Sequence, residues 1–158
     1  MTIKWIVDED FVNYHEPSMF IGTSTCTFKC DKEAGCKVCQ NSETAKMPSI
    51  CVPDTTLIRR YTNNPITKAI VLGGLEPLDQ FDEIVSFIYT LRVDYHRKDT
   101  VVIYTGYNRN EVQQYIDQLA ALENIIVKFG RFIPDCEKLL DDVLGVYLAS
   151  PNQYAERI

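Results

Sequence analysis

The chain has 158 residues, 46% hydrophobic and 24% charged, which is the composition of one globular domain, and we assign residues 1–158 to that domain. The formal net charge is -6 and there is no run of lysines or arginines, which argues against nucleic acid as a direct ligand. No apolar stretch approaches the roughly 20 residues that span a bilayer and the N-terminus lacks a secretory signal pattern, so we expect no membrane contact and a cytoplasmic location.

The first part of the chain predicts two strands, a long loop and a short helix. "IKWIV" (3–7) is typical of an edge strand, and "SMFIGT" (18–23) is typical of a short apolar strand. Residues 22–53 combine clustered cysteines with Gly, Ser, Thr, Asn and Pro, which predicts one long loop. Loops of this length are usually functional or tied down by something other than secondary structure. Asp54 is then placed to cap a short helix that ends at Tyr61.

The remainder of the chain alternates apolar runs with helical patterns. "AIVL", "VVIY" and "IIVKF" predict buried strands, and "GVYLA" predicts a last one. Two amphipathic helices are predicted between these strands. The first begins at Asp79 as its N-cap, and the second begins at a capping box formed by Asn108 and Glu111. This alternation predicts an α/β fold with a mainly parallel sheet. Ligands bind such sheets at the carboxyl ends of the strands, where the cysteine loop, "GGLEP" and "TGY" fall.

The segment "CTFKCDKEAGCKVC" (26–39) contains four cysteines. In a reducing compartment, clustered cysteines more often ligate metals or react than form disulfides. Zinc sites usually pair C-x2-C motifs a dozen or more residues apart, whereas this segment has C-x3-C and a gap of five residues. An iron–sulfur cluster accepts irregular spacing because each thiolate reaches a different iron, so the spacing favours a cluster over zinc. Four cysteine ligands would give a saturated electron carrier, whereas three would leave one iron open to a substrate.

The order of "CTFKC", "VCQN", "VLGGLEPLDQF", "VVIYTGY" and "ASPNQ" resembles the radical S-adenosylmethionine (SAM) superfamily. Within it, the chain is similar to the activating proteins of anaerobic ribonucleoside-triphosphate reductase, over almost its whole length. The resemblance implies a partial (β/α) barrel, a [4Fe-4S] cluster, and SAM as the second cofactor. It also implies an oxidoreductase that cleaves SAM reductively and generates a glycyl radical on its partner. That partner would be the reductase or another glycyl radical enzyme, and the electron donor a flavodoxin or ferredoxin-type protein.

The resemblance extends to single residues of the cysteine loop. Cys26 and Cys30 match the first two cluster ligands, and Cys39 matches the third because an asparagine, Asn41, follows it as in the family. Asn41 is implied as a cofactor-binding residue. Eight residues separate Cys30 from Cys39 where the family usually has two, so Cys36 stays open as an alternative third ligand.

The resemblance also assigns residues outside that loop. "GGLEP" is similar to the Gly-Gly-Glu-Pro motif that holds the amino group of SAM, which implies roles for Gly73, Gly74 and Glu76, although Leu75 is an extra residue. Glycines suit this role because they lack a Cβ atom and accept positive φ. Tyr107 in "YTGY" is implied to line the SAM pocket or to face the partner. The amides of "SPNQ" are further candidates, and no catalytic acid, base or nucleophile is implied.

Three other functions stay open at this point. One is an activase of another glycyl radical enzyme, or another radical SAM modifying enzyme. The second is a ferredoxin-like electron carrier that uses all four clustered cysteines. The third is a binding module stapled by zinc.

Overall fold

The computed structural model describes the whole chain, residues 1–158, as nine strands, five α-helices and three short 3-10 helices. The strands are β1 (Thr2–Asp10), β2 (Ser18–Thr23), β3 (Ile50–Cys51), β4 (Ala69–Gly73), β5 (Thr100–Tyr104), β6 (Ile125–Phe129), β7 (Leu139–Asp141), β8 (Val146–Leu148) and β9 (Tyr154–Arg157). The α-helices are α1 (Lys29–Ala34), α2 (Ser42–Ala45), α3 (Asp54–Thr62), α4 (Phe81–Val93) and α5 (Gln113–Leu119). The 3-10 helices are Pro77–Gln80, Arg109–Glu111 and Ala120–Leu122.

Seven strands form one mixed sheet in the order β3-β1-β2-β4-β5-β6-β9. Strands β2, β4, β5 and β6 run parallel to one another, whereas β1, β3 and β9 are antiparallel to their neighbours. The pair β7-β8 forms a separate antiparallel ribbon. The four parallel strands therefore end at one edge of the sheet, and the segments that follow them meet there.

The predicted partial (β/α) barrel of mainly parallel strands is wrong. Three of the six pairings in the main sheet are antiparallel, whereas a (β/α) barrel is built from parallel strands that are each followed by a helix. The prediction extended the strand–helix alternation of the middle of the chain to both ends. At the C-terminal end, "GVYLA" instead supplies β8 of the separate ribbon, and "YAER" supplies the antiparallel edge strand β9.

The two faces of the main sheet are covered by different parts of the chain. Helices α3, α4 and α5 pack on one face, in the larger apolar cluster that contains the strand residues Ile21 and Leu72. On the opposite face, Val71 belongs to a second cluster with Tyr14 and Leu144, which come from loops. Because both faces are buried, the parallel strands are apolar at most positions, with Lys128 of β6 as a buried exception.

The predicted helices exist, but several local assignments differ. Asn108 and Glu111 form the predicted capping box, which opens a 3-10 turn before α5. Asp54 is the first residue of α3 rather than its cap, and Asp79 lies inside a 3-10 turn before α4. The predicted loop 22–53 contains α1, α2 and β3, and β3 flanks the strand that we expected at the edge. No helix combines the length and the apolar character that crossing a bilayer requires.

Candidate metal centre and its pocket

Three of the four clustered cysteines line one cavity at the carboxyl edge of the parallel strands. Cys26, Cys30 and Cys39 share this cavity, which has a volume of about 230 Å³. Cys36 is exposed and lies outside the lining, and all six cysteines of the chain are free thiols. The structure therefore brings together the three cysteines predicted as ligands and leaves the alternative ligand outside.

Most of the other predicted site residues lie at the same place. Asn41, Gly74 and Glu76 line the cavity with the three cysteines. Gly73 ends β4 immediately before the lining turn, and Tyr107 lines a small adjoining cleft that Cys26 and Cys30 also share. Proximity alone does not establish binding, so the roles of these residues stay predictions.

Hydrogen bonds explain how the long insert after Cys30 still returns Cys39 to the cavity. Carboxylate oxygen Oδ1 of Asp31, in α1, accepts from the N–H groups of Val38 and Cys39 over 2.9 and 2.8 Å. The insert therefore folds as one helical turn closed by a carboxylate. On the other side of the loop, the N–H of Phe28 donates to Sγ of Cys26 over 3.2 Å.

Asp79 attaches the cysteine loop to the sheet, a role that the sequence analysis missed. One of its oxygens accepts from the N–H of Thr27 over 2.5 Å, and the other accepts from the hydroxyl of Tyr107 over 2.6 Å. Burial and the hydrogen bond to Asp79 raise the pKa of Tyr107 to about 12, so its hydroxyl stays a donor at neutral pH. A helix-capping pattern suggested a different role for Asp79, and only the fold brings Thr27 and Tyr107 to it.

A group of charged residues forms a second attachment of the cysteine loop to the rest of the fold. The guanidinium of Arg131, which is nearly buried, donates to the two oxygens of Glu111 over 2.6 and 2.8 Å. Its Nε lies 2.6 Å from Glu33 in α1, in an ion pair that is not aligned as a hydrogen bond. Lys29, also in α1, donates to Glu111 over 2.9 Å. Hydrogen bonding from Arg131 lowers the pKa of Glu111 to about 2, so the pair is ionised at all physiological pH values.

The turn after β4 is held against the cavity by side chains. Gly74 has φ of +89°, a left-handed conformation that favours glycine. The side-chain amide of Asn41 donates to the carbonyl oxygen of Gly74 and so ties the cysteine loop to this turn. Glu76 is 7% exposed, and its two oxygens accept from the N–H groups of Leu78 and Gly106 over 3.1 and 2.8 Å.

The electrostatics of the cavity favour protonated acids and thiols. Burial raises the pKa of Glu76 to about 7, although the N–H of Gly106 opposes the shift. Burial likewise raises the pKa of Cys26 to about 12, and the negative charges of Glu76 and Cys39 add to it. Burial also raises the pKa of Cys39, and the charge of Cys30 acts in the same direction. A cationic metal group would reverse this balance and hold the sulfurs as thiolates.

The shifted pKa of Glu76 predicts how the stability of the metal-free protein depends on pH. The unfolded carboxyl ionises near 4.5, whereas the folded one keeps its proton until about pH 7. Raising the pH from 4.5 to 7 therefore favours the unfolded state, by up to about 3 kcal/mol from this group alone. Urea denaturation of the metal-free protein at pH 5, 6, 7 and 8 measures the effect.

A matched pair of variants isolates this contribution. Glu76→Gln removes the ionisation but also one acceptor of a backbone N–H, so we expect a lower free energy of unfolding than wild type at pH 5 and a weaker fall from pH 5 to pH 8. Glu137→Gln, at an exposed position, should keep the wild-type pH dependence. Equal slopes for wild type and Glu76→Gln would contradict the assignment.

Two residues of the cavity wall, Trp5 and Lys128, were not predicted from the sequence. Lys128 lies in β6, is 6% exposed and donates from Nζ to the carbonyl of Gly130 over 2.9 Å. Burial lowers the pKa of Lys128 to about 8, while the charge of Glu76 opposes the shift. The signal was a lysine inside the apolar run "IIVKF", which is rare in a buried strand without a function or a partner.

The amides of "SPNQ" make hydrogen bonds within the protein. Asn152 donates to the carbonyl of Arg131 over 2.9 Å, and Gln153 donates to the carbonyl of Gly130 over 3.3 Å. The side-chain oxygen of Gln153 also accepts from the N–H of Ala149 over 3.0 Å. These amides therefore join the end of β6 to the C-terminal segment, and Gln153 contributes to the cavity wall.

The donor set fits an iron–sulfur cluster better than a single ion. No three His, Cys, Asp or Glu side chains lie close enough together to hold one metal ion, which disfavours the zinc alternative. Three half-buried free thiols surround one cavity instead, and a cluster offers a separate iron to each. Cys26, Cys30 and Cys39 are the residues that would hold it.

The chain is an α/β protein, and its three thiols at the carboxyl edge of the parallel strands are typical of a protein that binds an iron–sulfur cluster. Comparison with protein families supports this class, because residues 19–145 match the family described as "4Fe-4S single cluster domain". The match spans most of the chain, so the chain belongs to this family, and membership supports a [4Fe-4S] cluster as its cofactor. Comparisons with curated proteins and with solved structures gave no match.

Proposed function

We propose that the protein is a radical SAM enzyme, an oxidoreductase that cleaves SAM reductively. The supporting observation is that three cysteines, not four, line a cavity that continues to the "GGLEP" turn. Three thiolates leave one iron of a four-iron cluster without protein sulfur, which a substrate needs in order to bind there. The 4Fe-4S single cluster domain is also found in proteins related to radical SAM enzymes.

When bound at Cys26, Cys30 and Cys39, a [4Fe-4S] cluster would supply the single electron needed to cleave SAM into methionine and a 5'-deoxyadenosyl radical. The chain itself contributes binding, orientation and exclusion of water. Cys26, Cys30 and Cys39 would hold the cluster, and Tyr104 and Phe132 line the same cavity. No general base is required, in keeping with the absence of a predicted catalytic acid or base.

The "GGLEP" turn has the role of orienting the methionine part of SAM. The space beside Gly73 is taken by Tyr104 and Phe20, and the space beside Gly74 by Trp5. Gly74 lines the cavity, so this turn would contact a ligand through backbone groups. Glu76 fixes the turn because both its oxygens are occupied by backbone N–H groups, those of Leu78 and Gly106. We therefore assign Glu76 as a positioning residue.

The proposed partner is a glycyl radical enzyme, in the first place an anaerobic ribonucleoside-triphosphate reductase. A flavodoxin or ferredoxin-type protein is the proposed electron donor. The cavity lies on the sheet face that carries Phe20 and Tyr104 and that the helices leave to loops. A flexible segment of a partner can approach a site bordered by loops more readily than one beneath packed helices.

Anaerobic reconstitution with iron and sulfide, followed by reduction in the presence of SAM, tests this function. We expect 5'-deoxyadenosine to form with wild type and with Cys36→Ala, and only when both reductant and SAM are present. Cys39→Ala should form none. A fully loaded and reduced cluster that forms no 5'-deoxyadenosine would overturn the proposal and favour the electron carrier.

A further inference from the structure

Trp5 is the only tryptophan of the chain, and the fold brings it to the cysteine cavity from the N-terminal strand β1. Its partner in the neighbouring strand is Gly22, which in turn lies opposite Gly73 of β4. A row of two glycines therefore leaves the sheet surface beside Trp5 without side chains. The indole fills part of this space and forms one wall of the cavity.

The indole lies against two glycines, Gly22 and Gly74, and leaves no room for a side chain at either. A Cβ atom on Gly22 would lie 2.3 to 2.6 Å from three atoms of the indole, which shows that the face of the ring rests on this residue. A Cβ atom on Gly74 would lie 2.2 Å from Cη2 at the outer edge of the ring. The indole thus reaches the turn that we assign to the methionine part of SAM.

The indole packs against the smaller apolar cluster and also borders the cavity. Phe20 stacks beside it with ring centroids 5.8 Å apart and planes inclined by 20°. Trp5 is only partly buried and lines the same cavity as Cys26 and Cys39. Trp5 therefore has an exposed part that borders the cavity in addition to the part that packs on Gly22 and Phe20.

We propose that Trp5 stacks against the adenine base of the ligand and makes the cavity selective for a nucleoside. This inference rests on the proposed function, because it names the residue that holds the base of SAM. An indole offers a large π surface, and stacking on an aromatic side chain is the general way in which proteins hold a base without reading its edges. Placement beside Gly74 lets one ligand reach both the indole and the "GGLEP" turn.

Two substitutions at Trp5, in cluster-loaded protein, test the inference. Trp5→Leu keeps an apolar side chain but removes the π surface, whereas Trp5→Phe keeps a smaller one. With the cluster oxidised, so that SAM is not consumed, equilibrium dialysis with labelled SAM measures the dissociation constant. We expect Trp5→Leu to weaken SAM binding by about 5- to 150-fold and Trp5→Phe to weaken it less.

S-methylmethionine, a sulfonium amino acid without a base, is the control ligand and is measured by its competition with SAM. It should compete equally in wild type and in Trp5→Leu. If it competes in neither protein, the change in SAM affinity between wild type and Trp5→Leu decides alone. Equal weakening of both ligands in Trp5→Leu, or SAM binding unchanged by that substitution, would overturn it.

These outcomes are separable from those of the proposed function. A protein that binds SAM through Trp5 but forms no 5'-deoxyadenosine on reduction retains this inference and loses the proposed function. A protein that forms 5'-deoxyadenosine while Trp5→Leu binds SAM as tightly as wild type retains the function and loses the inference.

Discussion

Replacing Cys39 with alanine should abolish cluster binding, whereas replacing Cys36 should leave it intact. Cys39 lines the cavity with Cys26 and Cys30, and the carboxylate of Asp31 holds its backbone in place. Removing one of three ligands leaves two thiolates, too few to keep a four-iron cluster in the site. Cys36 is exposed outside the cavity, so its loss removes no ligand.

Iron and acid-labile sulfide per chain, measured after anaerobic reconstitution, distinguish the two variants. We expect one four-iron cluster per chain for wild type and Cys36→Ala, and nearly none for Cys26→Ala, Cys30→Ala and Cys39→Ala. Cys51→Ala, at an exposed thiol remote in sequence, is the matched control and should load fully. Loss of iron in Cys36→Ala with retention in Cys39→Ala would reverse the assignment of the third ligand.

Gly22→Ala is expected to lower the free energy of unfolding by about 1–3 kcal/mol, because its new methyl group would overlap the indole of Trp5. The overlap involves three ring atoms at 2.3 to 2.6 Å, so the ring itself must move rather than a flexible chain end. The backbone of Gly22 is not left-handed and accepts alanine without strain. In a Trp5→Ala background the cost should therefore largely disappear.

Gly74→Ala is the contrasting substitution. It also meets Trp5, at 2.2 Å, but Gly74 in addition has φ of +89°. A residue with a Cβ atom costs about 1–2 kcal/mol in a left-handed conformation, and this cost stays when Trp5 is removed. Double-mutant cycles by urea denaturation measure both cases. A Gly22→Ala cost that persists in the Trp5→Ala background, or a Gly74→Ala cost that disappears there, would contradict this account.

The parallel strands were predictable because their pattern is local. Runs such as "AIVL" are apolar at every position, since helices cover one face and loops the other. The antiparallel strands carry no such pattern. In β9 only Ala155 is buried, and β3 is two exposed residues, so both become strands through pairing with a neighbour. This is why the sequence suggested a barrel and the structure has a mixed sheet.

The residues of the candidate site also divide into those that a local pattern predicted and those that it did not. Cys26 and Glu76 stand in short motifs that directly follow strands, so their meeting at one sheet edge followed from the topology of parallel strands. Cys39 reaches the same edge through the hydrogen bond of its N–H to Asp31. Trp5 and Lys128 were missed because they lie inside strands, far from any motif. Their place in the cavity depends on which strands pair and on which face each side chain points to, and neither is encoded locally.

The cavity wall includes Trp5 from the first strand and Gln153 from the segment before the last one. During synthesis, the thiols of the cysteine loop leave the ribosome long before Gln153, which contributes to the wall of their cavity. Contacts between such distant parts of a chain form late in folding. The cavity around the thiols is therefore complete only when the first strand and the segment before the last strand have both taken their places.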